Sequence, residues 1–192
     1  MWTTALYEHP LPALQWGAVL VVSLIAAVTD LHSRRIPNVL TGTALLGGLV
    51  VSGYVGRGPG LLDAGAATLL LALPFVVLFV FAHGGAGDAK LMGALGSWLG
   101  LVNGVALLFA VCLCGMVLAI GFAATKGRLG SVLANLSGTL RGLLRPLYGA
   151  GSIRDAARLM PGASEGLQMP YGLAIFAGAV LAAGSTWLWK GP

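Results

Sequence analysis

The chain has 192 residues, 57% hydrophobic and 9% charged, with a net charge of +5 and a mean hydropathy of +0.90. Soluble domains carry about 25% charged residues, so this composition excludes an ordinary soluble domain and makes each charge informative. The length fits a single integral-membrane domain spanning 1–192, and the only cysteines, Cys112 and Cys114, stand in C-x-C spacing inside an apolar run, which excludes a disulfide framework.

The N-terminal stretch MWTTALYEHPLP contains neither Lys nor Arg, so it has no positive n-region of a cleavable signal peptide, and the first apolar run is expected to remain in the protein. A membrane crossing takes roughly 20 apolar residues. On that measure the sequence predicts an all-α, polytopic bundle of about six transmembrane helices near 12–29, 38–55, 61–82, 89–101, 102–124 and 169–189. The fourth is short, and its border with the fifth falls around LGLVNG. Pro74 in the third is expected to kink it. Thirty glycines suit helices that approach one another closely in lipid.

Basic residues set the orientation. With both termini outside, the cytoplasmic segments hold Arg34, Arg35, Lys90, Lys126, Arg128, Arg141, Arg145, Arg154 and Arg158, and the outer side holds only Arg57 and Lys190. The stretch 125–168 is then a cytoplasmic loop. Leu129, Val132, Leu133, Leu136, Leu140, Leu143, Leu144 and Leu147 share one helical face, with Arg141 and Arg145 opposite and Pro146 near the end. Such a stretch predicts an amphipathic helix lying in the cytoplasmic interface.

Of six acidic residues, Glu8, Asp63, Asp155 and Glu165 have ordinary solvated explanations. Asp30, in AAVTDLHSRRIPN, and Asp88, in GGAGDAKLMGALG, differ. Both fall at the cytoplasmic boundary, each joined to a hydrophobic helix, and ionisable residues there point to function. Two neighbouring carboxylates share a proton, so one can take a proton from water while the other donates to a peptide carbonyl. Asp88 begins a helix and is expected to be mainly the base; Asp30 ends one and is expected to be mainly the acid. Gly84, Gly85, Ala86 and Gly87 are expected to form a permissive turn, free to take positive φ, that lets a substrate strand approach Asp88. Lys90 is expected to reach lipid headgroups, with tuning of the carboxylate pair as the alternative. His83 has no second ligand at metal spacing, so no metal or other cofactor is expected.

At these residues the sequence resembles the type IV prepilin peptidases, membrane aspartyl proteases with a GxGD signature. Here the signature reads Gly85-Ala86-Gly87-Asp88 and continues through Ala89 to Lys90. Asp30 followed by LHSRRIPN, ending in Pro37 and Asn38, matches the first aspartate's surroundings. MPYGLAIFAG, through Pro170, Tyr171 and Gly172, is similar to the start of the family's last span. The resemblance covers about residues 12–189. It implies Asp30 and Asp88 as the catalytic pair of an aspartic endopeptidase in the bacterial inner membrane. Its expected role is to remove the short basic leader of prepilin-like precursors at the cytoplasmic face. Gly85, Gly87 and Lys90 would support the active-site loop, with Pro37, Asn38, Pro170, Tyr171 and Gly172 in structural or substrate-side positions.

Long members carry paired CxxC motifs linked to N-methylation of the product. These residues contain none, which predicts cleavage without methyl transfer. The short layout and RRIPN resemble the branch serving Flp-type tight-adherence pili. The expected partners are a pilin-like precursor and membrane lipids, with no nucleic acid and an unassigned oligomeric state. Two rival readings are a non-catalytic membrane assembly scaffold, which leaves the carboxylate pair unexplained, and a proton-coupled transport component. Relay carboxylates of transporters usually lie near the midplane rather than at one boundary.

Overall fold

A computed structural model describes residues 12–82, 85–125, 127, 130 and 171–190. The described residues form four helices: α1 (Pro12–Ser33), α2 (Asn38–Ala82), α3 (Ala86–Thr125) and α4 (Tyr171–Lys190). Three of them, α1, α2 and α3, are long and apolar enough to cross a membrane. The expected amphipathic helix, including Arg141 and Arg145, lies outside the described residues, as do His83, Gly84 and Pro170.

Local chemistry accounts for where the helices start and stop. Pro12 occupies the first position of α1, where its missing N–H costs nothing. At the other end Arg34 takes a positive φ of 51° and its N–H reaches Asp30 O at 2.9 Å. That is the left-handed helix stop more often given to glycine. Pro37 follows and cannot extend α1; its carbonyl instead accepts the Thr41 N–H of α2 at 3.3 Å.

The two longest helices fold back on themselves. In α2 the break is at Arg57, with φ 51° and ψ −141°, whereas Pro74 sits within helical backbone. A Cβ on Gly60 would stand 2.5 Å from Ser52 O, although eight residues of straight helix cover about 12 Å. In α3 the break is at Gly100, with φ 69° and ψ −176°, inside the expected LGLVNG border. Tyr171 touches Gly115 and lies within electrostatic reach of Asp88. Residues 88 and 115 would be about 40 Å apart on a straight helix, so the chain reverses between them.

Asp63 secures this second reversal. It is half-buried, and its carboxylate accepts the Leu101 N–H at 3.3 and 3.4 Å, supplying the first turn after the break with an acceptor. Its expected role as an ordinary solvated charge is therefore corrected: it is a helix cap reaching across 38 residues of sequence. Gly100 adopts a backbone region open essentially to glycine alone, and a Cβ there would collide with Asp63 Oδ2. Gly100→Ala is expected to lower stability by about 1–3 kcal/mol, read as an earlier unfolding transition in detergent. Unchanged unfolding would show that the reversal tolerates a side chain.

Packing centres on α3, which touches each of the other helices. Leu91, Met92, Leu95, Leu107 and Val111 of α3 are fully buried together with Val19, Leu71 and Ile175. Polar groups weld α3 to the first half of α2: Trp98 Nε1 donates to Ala44 O at 2.8 Å and Ser52 Oγ to Ser97 O at 2.9 Å. The outer faces are apolar instead of charged; Val50 and Phe109 are 69% and 68% exposed. Apolar surface this extensive belongs against lipid, and with the long apolar helices it makes this a membrane protein.

Candidate active site

Asp30 lies in the last turn of α1 and Asp88 in the first turn of α3. The fold brings them to one end of the bundle, where Asp30 lies within electrostatic reach of Asp88. A third element completes the arrangement. The N–H of Gly172, in the first turn of α4, donates to Asp30 Oδ2 at 2.9 Å. A Cβ on Gly172 would stand 3.0 Å from Asp30 Cβ, 3.1 Å from Oδ2 and 3.3 Å from Ala26 O. Only a glycine lets α4 begin this close to α1.

Tyr171 packs edge-on against Phe75 of α2, with ring centroids 5.8 Å apart and planes at 70°. A contact of that kind contributes about 0.5–1.5 kcal/mol beyond area burial and ties the start of α4 to α2 beside the carboxylates. Of the three residues matched at the last span, Tyr171 and Gly172 are thus at the site.

The glycine-rich turn differs from expectation. Neither Gly85 nor Gly87 has a positive φ; among the described glycines, Gly100 and Gly127 do. α3 already begins at Ala86, and Asp88 donates its N–H back to Gly85 O at 3.2 Å. The physical use of these glycines is space. A Cβ on Gly85 would press on Asp88 Oδ2 at 2.6 Å, and one on Gly87 would meet the Ile36 side chain at 3.3 Å. Ile36, between Arg35 and Pro37, therefore lies over the GxGD turn and holds the two aspartate-bearing segments together. It was not singled out from sequence; its one signal was an apolar residue inside a polar connection.

Lys90 also joins the two segments. Its Nζ donates to Asn38 Oδ1 at 2.9 Å, linking the first turn of α3 to the start of α2. Both side chains are exposed. Pro37 stops α1 from running on and supplies the carbonyl already described, so Arg34, Ile36, Pro37 and Asn38 each have a structural use after Asp30. Cys112 and Cys114 are free thiols on α3.

Residues 17–120, more than half of the chain, match the sequence model of the type IV leader peptidase family. The chain belongs to that family. The match spans α1 to the second half of α3 and includes Asp30, Pro37, Asn38, Gly85, Gly87, Asp88 and Lys90, while Tyr171 and Gly172 lie beyond it. No curated protein and no solved structure matches the chain. Membership makes the protein a membrane protease of the prepilin leader peptidase kind, acting on prepilin-like substrates. In a type IV leader peptidase, two carboxylates at one end of a helix bundle, one oriented by a backbone donor, form an arrangement suited to activating water.

Proposed function

We propose that this leader peptidase cuts prepilin-like precursors with water activated between Asp30 and Asp88, at the cytoplasmic face of the bacterial inner membrane. The observation that carries the reading is that these two carboxylates, 58 residues apart in sequence, lie within electrostatic reach of each other, with the Gly172 N–H on one of them. Asp30 Oδ2 is occupied as an acceptor, so a proton shared by the pair sits on Asp30 Oδ1 or on Asp88. The protonated group donates to the scissile carbonyl oxygen as it becomes tetrahedral. The other carboxylate takes a proton from the attacking water and passes it to the departing amine of the mature chain. As the C–N bond breaks, the first group recovers its proton from the tetrahedral oxygen and the leader leaves with a new carboxyl group.

Helix polarity alone does not divide these roles. The sequence argument assigns the base to Asp88 because it begins a helix, yet Asp30 also faces a helix start, that of α4. The pair is best read as one unit holding one proton, with protonation behaviour that belongs to both groups.

The reversals at Arg57 and Gly100 support six crossings, with both termini outside and the Asp30–Asp88 end in the cytoplasm. Arg34, Arg35 and Lys90 all lie at that end, and Arg57 lies at the other, as positive-inside asymmetry requires. A basic leader held at the anionic inner leaflet is presented at the same level. The two cysteines stand within α3 in C-x-C spacing, and we take the reaction to be cleavage without methyl transfer, on substrates of the tight-adherence pilin kind.

The test is cleavage of a purified pilin-like precursor by the protein in liposomes, read by product mass. The expected products are a leader and a mature chain with an unmodified N-terminus. An uncut precursor in the presence of correctly inserted protein overturns the assignment, and a methylated product overturns its last clause.

A further inference from the structure

A groove of about 310 Å³ runs between the two halves of α2 and the first half of α3. It lies on the side of α3 away from the carboxylates. At about 100° per residue, Lys90, Gly93 and Ala94, which line it, stand across the helix from Asp88. Two threonines in its wall turn their hydroxyls into their own helices: Thr41 Oγ1 donates to Asn38 O at 3.2 Å and Thr68 Oγ1 to Ala64 O at 2.8 Å. With those hydroxyls occupied, the wall suits an apolar ligand. The polar groups are at the mouth, where Lys90 donates to Asn38 Oδ1. That amide is neutral, and among the described residues the Lys90 ammonium meets no carboxylate.

We propose that this groove seats one acyl chain of an anionic phospholipid, whose phosphate lies on Lys90. Charge and shape select this occupant together. An apolar trough ending in a cation that meets no carboxylate among the described residues complements an anionic head on a hydrocarbon tail. Lys90 is two residues from Asp88 and bonded to the start of α2, so the bound head also sets the environment of the turn that carries Asp88. The seat itself does not depend on the peptidase chemistry.

The test is native mass spectrometry of the delipidated full-length protein with phosphatidylglycerol and phosphatidylcholine of identical chains. Wild type is expected to retain one phosphatidylglycerol and to prefer it about fivefold, the selectivity of one lysine near an anionic headgroup. Lys90→Gln is expected to bind both lipids without preference. At Gly42 a Cβ meets nothing within 4 Å, so Gly42→Leu extends into the groove and is expected to weaken retention of both lipids about tenfold, as loss of roughly two buried methylenes does. Wild type without headgroup preference overturns the proposal, as does Gly42→Leu retaining lipid like wild type. A photo-crosslinking residue at position 42 supplies a separate readout. Capture of phospholipid supports the seat, and capture of a pilin precursor overturns it in favour of the substrate helix.

Discussion

Asp30→Asn and Asp88→Asn are each expected to insert and fold normally, yet to cut a pilin-like precursor about 10²–10⁴-fold more slowly than wild type. Asparagine keeps the shape of the side chain and an oxygen that accepts a hydrogen bond, so in Asp30→Asn the Gly172 N–H retains a partner. What is lost is the capacity to hold or release a proton. Because the two groups act as one unit, the double variant is expected to be no slower than the worse single one. Asp63→Asn provides the internal comparison. Asp63 accepts the Leu101 N–H at the Gly100 reversal, far from the carboxylate pair, so its replacement is expected to touch stability and leave the cleavage step near wild type. Cleavage at near wild-type rate by either Asp30→Asn or Asp88→Asn would remove that residue from the mechanism.

Gly172→Ala is expected to reduce kcat about 10²-fold, the scale on which displacing a catalytic group by about 1 Å acts, with little change in KM. An added methyl stands 3.0 Å from Asp30 Cβ and 3.1 Å from its Oδ2. Either α4 retreats and lengthens the 2.9 Å hydrogen bond, or the Asp30 carboxylate rotates away from the Gly172 N–H. Both adjustments act on the carboxylate that handles the proton, which is why the effect is expected in kcat. Steady-state cleavage kinetics on protein with a wild-type unfolding profile check this. A normal kcat with a raised KM would move Gly172 from positioning Asp30 to holding substrate.

Much of this architecture was legible because the signals were local. The cluster of Gly53, Gly56, Gly58, Pro59 and Gly60 around Arg57 interrupts an apolar run with residues that disfavour helix, so the division of α2 was readable to within a few residues. The border within LGLVNG fell on Gly100 for the same reason. Asp30 and Asp88 stood out because charge is rare in an apolar chain. The features that escaped depend on partners distant in sequence. Asp63 reads as a solvated acid until the fold sets it against Leu101. Ile36 reads as loop filler until Gly87 is found beneath it. The permissive turn expected at 84–87 assumed that its glycines were chosen for backbone freedom, whereas Gly85 and Gly87 are used for the room they leave. Nothing local says that Gly172 meets Asp30 across 142 residues.

That last separation bears on when the protein becomes an enzyme. Chains enter the membrane from their N-terminal end, and early segments settle while later ones are still being made. The two aspartates are made 58 residues apart, but the backbone donor on Asp30 belongs to a helix made 142 residues after it. A half-inserted chain therefore owns its acids without the group that aims one of them. On the proposed mechanism, competence to cut is expected to begin only once α4 docks, so the order of synthesis would keep a partly made chain silent.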